Sequence, residues 1–196
     1  RQELNLEDDP GGGVFYGPKI DFKIKDALGR EWQGPTVQVD FNLPDRFDIQ
    51  YNDADNELKR PVMVHRAIFG SLERFVGGLI EHFAAWFPVW LCPMPVAVLP
   101  ITDDQADAAN ELRSKLMALG FNAELANDGP LRKRIRDCEV SKIPYMAVIG
   151  EREAEGEMVS LRIHGVKQQV ALSHDEFIDL LISKRDSKSL SYAIDA

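Results

Sequence analysis

Lys19-Ile20-Asp21-Phe22-Lys23-Ile24-Lys25, then a turn at Ala27-Leu28-Gly29, then Trp32-Gln33-Gly34-Pro35-Thr36-Val37-Gln38-Val39-Asp40-Phe41, is the stretch that decides the fold of the first half. Ile20, Phe22 and Ile24 alternate with Asp21, Lys23 and Lys25, a period of two that predicts antiparallel hairpin strands. Successive strand side chains take opposite faces, so Val37, Val39 and Phe41 share one side while Thr36, Gln38 and Asp40 share the other. That polar side is either a solvated outer face or the floor of a binding cleft, which needs neutral amides and a carboxylate aimed inward.

Outward from this hairpin, residues 45–60 are rich in Asn and Asp and predict a loop returning to a short strand over 61–65. Leu72, Phe75, Val76, Leu79, Ile80 and Phe83 then recur on one helical face, opened by Gly70 and Ser71, which predicts a buried helix. Gly77 and Gly78 inside it cost about 1 kcal/mol each relative to Ala, so close packing against a sheet or ligand is the expected reason for them. The prolines Pro88, Pro93 and Pro95 around Trp90 mark a boundary, dividing residues 1–87 from 88–196.

Beyond it the rhythm changes to strands alternating with helices. Strands are expected at 96–99, 121–125, 145–149 and 158–163. A helix is capped by Thr102 and Gln105, with Ala109, Leu112, Leu116 and Leu119 inward and Gly120 at its end. A basic helix follows over 131–140, and a last helix capped by Ser173 and Glu176 carries Phe177, Leu180 and Leu181. The whole reads as α+β, then a small α/β domain with a largely parallel or mixed sheet.

The chain has 196 residues, 44% apolar and 28% charged, the composition of a folding globular protein rather than a disordered one. The prolines interrupt its longest apolar stretch, so no membrane helix is expected. A start at Arg1 with no charged-then-apolar leader reads as an internal start, and two unpaired-looking cysteines, Cys92 and Cys138, read as a reducing, cytoplasmic setting. A net charge of -9 argues against indiscriminate coating of nucleic acid, DNA included.

Several residues stand out against that background. His65 has no second His or Cys at metal-ligand spacing, so it is either structural or a ligand whose partners lie elsewhere. Arg74, early in an apolar helix, is either a surface ion-pair member or a guanidinium suited to phosphate oxygens. The run Gly11-Gly12-Gly13 licenses no more than a flexible lip to the cleft, because nothing after it follows the order of a phosphate-binding loop. Arg132, Lys133, Arg134 and Arg136 form a dense cationic run in an acidic chain: a solvated helix face, or a docking patch for an anion such as RNA backbone. Glu153 and Arg162, expected on neighbouring strands, are reasonable readers of unpaired bases.

Three segments, Phe15 to Phe22, Trp32 to Phe41, and His65-Arg66-Ala67-Ile68-Phe69-Gly70-Ser71-Leu72-Glu73-Arg74-Phe75, resemble the C-terminal half of bacterial-type threonyl-tRNA synthetases, the third resembling motif 3 of class II enzymes. Ile101-Thr102-Asp103 and Lys142-Ile143-Pro144-Tyr145-Met146 resemble that family's anticodon-binding domain. The resemblance implies part of the antiparallel catalytic sheet of a class II core followed by an anticodon-binding α/β domain. It implies ATP, used with Mg2+, and L-threonine as substrates, threonine tRNA as partner, and a homodimer in the full-length protein.

By similarity His65 is one ligand of a Zn2+ whose other ligands lie upstream. That metal chelates the amino and hydroxyl groups of threonine, which valine cannot match. Arg74 corresponds to the arginine that grips the ATP tail. Tyr16, Lys19 and Gln38 correspond to positions around the amino acid and the transfer site, Gln33 and Thr36 to positions facing the nucleotide, and Glu153 and Arg162 to anticodon readers.

The sequence departs from the family at Gly34-Pro35, in the turn 126–130 and in the loop 164–170, and it contains no motif 1, motif 2 or editing segment. This stretch alone is therefore expected not to form threonyl adenylate. The rival reading is a noncatalytic tRNA-binding or regulatory module, and a purely structural interaction protein ranks last.

Overall fold

Alternating β-formers build the first sheet in the order β1-β2-β5, all antiparallel: β1 (Lys19–Lys25), β2 (Glu31–Asp40) and β5 (Met63–Ala67). The computed structural model describes residues 6–194, and these divide into one unit ending at His82 and another beginning at Phe83. In the first unit the β1–β2 turn is closed by Asp26, whose carboxylate accepts from the backbone N–H groups of Leu28 (2.9 Å) and Arg30 (2.8 Å), with Gly29 at φ +78°.

The stretch expected as a plain loop before β5 is more ordered than that. It contains α1 (Asn42–Arg46) and a two-residue ribbon of β3 (Tyr51–Asn52) with β4 (Leu58–Lys59). The last strand is also displaced two residues from the expected 61–65.

α2 (Leu72–Phe83) forms where expected but not as expected. None of its residues is buried; Leu72 is 59% exposed and Ile80 46%. A Cβ built at Gly77 or Gly78 meets nothing within 4 Å, so close packing is not what places glycine there. The helical periodicity is real, but among the described residues of this unit no layer covers the apolar face.

The second unit holds the core. Its elements are β6 (Val96–Pro100), α3 (Ala106–Ala118), β7 (Ala123–Leu125), α4 (Leu131–Val140), β8 (Tyr145–Ile149), α5 (Glu151–Glu155), β9 (Met158–Ile163), β10 (Val170–Ser173) and α6 (His174–Asp186). The sheet order is β10-β9-β8-β6-β7. β6 runs parallel to β7 and β8, and β9 antiparallel to β8 and β10, giving the mixed sheet.

β6 and β8 are buried throughout, as apolar runs covered on both faces should be. Tyr145, Leu112, Leu116, Phe177 and Leu181 fill one side of the sheet. Leu99, Cys138, Ile143 and Met146 fill the other. Thr102 and Gln105 form the expected capping box, which opens a 3-10 turn before α3, but Leu119 points outward at 41% exposure. Ser173 accepts from the Glu176 N–H at 3.2 Å and caps α6. The short α5 and β10 have no counterpart in the sequence pattern, α5 because its five residues carry no apolar period. No described helix is long and apolar enough to cross a membrane.

Candidate functional site

A bulge explains the polar face of the first sheet. Asp21 pairs with Thr36 and Lys23 with Gln33, so β2 spends one residue more than β1 between these pairs, at Gly34-Pro35. The extra residue reverses the strand's parity, and Gln33 and Thr36 thereby reach the same carboxylate. Asp21 accepts from Gln33 Nε2 at 3.0 Å and from the Thr36 hydroxyl at 2.7 Å, and pairs with the Lys19 ammonium at 2.6 Å.

The Lys19 and Thr36 hydrogen bonds outweigh desolvation and hold the Asp21 carboxyl below the usual carboxylate range. Asp21 is the organising residue that sequence reasoning missed; on an alternating strand it reads as one more exposed acid. Gly70, at φ +67°, brings the chain after β5 so close to β2 that a Cβ there would lie 2.8 Å from the Gly34 carbonyl oxygen.

Further along the same face, Gln38 pairs with His65 across β2 and β5, and the Tyr16 hydroxyl donates to Gln38 Oε1 at 2.9 Å. His65 Nε2 lies 2.7 Å from Oδ2 of Asp40, itself 2% exposed. Desolvation raises the Asp40 pKa, but backbone N–H groups of Leu43 and Asn42 and the His65 ring outweigh it and hold the carboxyl below its ordinary range. An ionised carboxylate only accepts, so His65 donates from Nε2, and in the neutral ring this leaves Nδ1 as the nitrogen with a lone pair, the arrangement that a metal-bound histidine uses. His65 thus fits as one metal ligand. Among the described residues no group of three His, Cys, Asp or Glu could complete a site.

Arg74 stands exposed in the first turn of α2, and its guanidinium carbon lies 5.4 Å from the centre of the Trp32 ring. Arg30 approaches the same ring at 5.6 Å, and the Trp32 Nε1–H donates to Asp26 at 2.9 Å.

In the second unit the basic helix α4 divides its charges. Arg132, Lys133 and Arg136 are exposed, whereas Arg134 is 7% exposed and donates to the backbone carbonyls of Pro100 (2.7 Å), Ala126 (2.8 Å) and Ile101 (3.2 Å). Arg134 therefore differs from its expected role as a phosphate contact: the helix phase turns it inward with Cys138. Glu153 lies in the short helix α5 and not on a strand as expected; it caps that helix, accepting from the Gly150 N–H at 3.1 Å.

Arg162, half-buried on β9, has its Nε buried without a partner. It lines a cavity of about 440 Å³ with Trp86, Glu139, His164 and Lys167. Trp86 stacks on His164 at 3.4 Å and takes the Lys142 ammonium at 4.9 Å. No hydrogen bond or ion pair joins Glu153 to Arg162 among the described residues.

Residues 3–83 match the family model of the tRNA synthetase class II core domain (G, H, P, S and T), and residues 95–184 that of the anticodon binding domain. A chloroplastic/mitochondrial threonine–tRNA ligase of Arabidopsis thaliana is 58% identical over 81% of this chain and 24% of its own length. A threonine–tRNA ligase of Sulfurihydrogenibium is 50% identical over 89% of this chain and 27% of its own. The chain thus spans about a quarter of these relatives. Among solved structures, the RNA binding domain of a threonyl-tRNA synthetase from Cryptosporidium parvum superposes with a TM-score of 0.82 at 38% identity, covering 89% of this chain and 44% of that one. A threonyl-tRNA synthetase from Aeropyrum pernix gives 0.68 at 26%, covering 93% and 45%.

Proposed function

The chain belongs to the threonyl-tRNA synthetase family of class II aminoacyl-tRNA synthetases, and from that premise we propose that it supplies part of the active site and the anticodon-reading domain for ATP-dependent attachment of L-threonine to its tRNA. The observation that carries this reading is the face on which Tyr16, Gln38, His65 and Asp40 adjoin Lys19, Asp21, Gln33 and Thr36. Such a face offers a small polar substrate neutral amides, hydroxyls and one buried anion.

In this reading Gln38 and Tyr16 orient the amino acid and Lys19, neutralised by Asp21, stands at the transfer site. Gln33 and Thr36 face the nucleotide, and Arg74 grips the triphosphate, whose charge is carried with Mg2+. His65, its tautomer fixed by Asp40, would hold Zn2+ with ligands from outside the described residues. When bound, the metal supplies a Lewis acid that selects an amino alcohol over its methyl isostere. Arg132, Lys133 and Arg136 face the tRNA backbone, and Glu153 and Arg162 stand among the anticodon readers. A homodimer in the full-length protein, a cytoplasmic setting, no part for DNA or membrane, and a division into residues 1–87 and 88–196 belong to the same reading.

One observation favours the second reading, a noncatalytic tRNA-binding module. All the large buried apolar side chains among the described residues lie in the second unit, which can therefore stand as a binder by itself. The deciding experiment is binding of the chain to threonine tRNA and to the same tRNA with a changed anticodon, across a salt series. Loss of affinity at fixed salt with the changed anticodon supports the reader. Equal weak binding of both withdraws Glu153 and Arg162. Threonine-dependent ATP–pyrophosphate exchange separates the two readings, being expected in a full-length ligase carrying this sequence and not in this stretch alone.

A further inference from the structure

We propose that Trp32 is a positioning residue for Arg74, restraining the guanidinium through a cation–π contact and not an ion pair, so that no carboxylate takes the N–H donors that phosphate oxygens need. The proposal rests on the reading of Arg74 as the triphosphate grip and adds what makes that grip ready.

An exposed arginine at the start of a helix normally samples many rotamers, and freezing them costs binding energy at the moment a ligand arrives. The usual restraint is a carboxylate. A carboxylate, however, occupies the same N–H fork that a phosphate needs. Among the described residues no carboxylate pairs with Arg74. What approaches it is the Trp32 ring at 5.4 Å, within the range of an attractive cation–π contact.

The ring itself is fixed from behind. Trp32 lies on β2 opposite Ile24, and its Nε1–H is bonded to Asp26 Oδ2. Asp26 is in turn locked by the N–H groups of Leu28 and Arg30 and by the Arg30 guanidinium at 2.6 Å. A hydrogen bond from the indole N–H to an anion also enriches the ring in electron density, which strengthens its hold on a cation. The same turn reaches α2 through the Ala27 N–H, 3.4 Å from Glu81 Oε2. The strand turn and the helix that carry the two partners are thus tied to each other.

The test is made in a full-length ligase carrying this sequence, reading KM and kcat for ATP and for threonine separately, with ATP affinity from equilibrium dialysis. Trp32→Leu is expected to weaken ATP binding and lower kcat/KM for ATP about two- to fivefold while leaving the threonine KM unchanged. Trp32→Phe, which keeps a ring, restores most of the loss. Arg74→Ala abolishes the dependence on Trp32, so that the double variant is no worse than Arg74→Ala alone. If Arg74→Ala impairs ATP use and Trp32→Leu does not, the positioning role is wrong and the reading of Arg74 survives. If Arg74→Ala leaves ATP kinetics unaltered, the reading of Arg74 falls and this proposal with it. Should Trp32→Leu fail to fold, Asp26→Asn decides. It leaves the ring but loosens its anchor, an ATP KM raised about twofold is expected, and an unchanged KM overturns the proposal.

Discussion

Replacing Arg134 by Ala should unfold the second unit at a markedly lower temperature and leave RNA contact to its neighbours. The side chain makes three bonds to carbonyl oxygens at the ends of β6 and β7, two of them 2.7 and 2.8 Å long. A hydrogen bond from a charged donor contributes about 1.5–3 kcal/mol, and a carbonyl left buried without one costs about 1–3. The three do not add in full. Pro100, Ile101 and Ala126 sit at strand ends where water can enter the space left by the side chain, and the cost of burying the guanidinium is recovered. The net loss comes to about 2–4 kcal/mol. For a unit of this size that lowers Tm by about 8–16 °C. Thermal unfolding followed by circular dichroism measures it, with Arg132→Ala and Arg136→Ala as comparisons. Those two are exposed and should stay within about 0.5 kcal/mol of the parent, each lowering the salt slope of RNA binding by about one. The reasoning is refuted if Arg134→Ala melts within about 2 °C of the parent and loses RNA affinity as Arg132→Ala does.

Asp26 titrates at about 2, held down above all by the Trp32 N–H, and Asp21 and Asp40 also lie below the ordinary value of 3.8. Folded values below unfolded ones mean that their stabilisation is complete above about pH 4 and is lost as pH falls toward about 2, which carboxyl carbon chemical shifts followed through an acid titration will read. Asp40→Asn should free the His65 ring and lower the zinc affinity of a full-length ligase carrying this sequence by about 10- to 100-fold, measured by competition with a chelator; unchanged affinity would remove Asp40 from the metal's support. Ser173→Ala removes the cap of α6 and should cost about 1 kcal/mol in urea unfolding of the second unit, with an unaltered slope.

How much of this was legible in the sequence depended on whether a signal was local. The alternation from Lys19 to Asp40 and the capping pairs Thr102–Gln105 and Ser173–Glu176 are local, and they placed the strands and two helix starts. The bulge at Gly34-Pro35 is where a strict period of two fails. An unbroken strand would put Gln33 opposite in face to Thr36, which conceals the hub at Asp21 that binds both. The exposed apolar face of α2 lies at the other extreme, since a periodicity states that a face is apolar and says nothing about what covers it.

Arg134 lies between these cases. In the run Arg132-Lys133-Arg134-Ile135-Arg136 charge hides phase, because four cations in five residues read as one patch. Leu131, Arg134, Ile135 and Cys138 nonetheless fall at i, i+3, i+4 and i+7, the stripe that faces a core. A cation on that stripe needs acceptors that cannot move away, and the carbonyls at the ends of two parallel strands are such acceptors. Phase therefore outranks charge in deciding which arginine of a basic helix stays at the surface, and the phase of Arg134 is written in its spacing from Leu131 and Cys138.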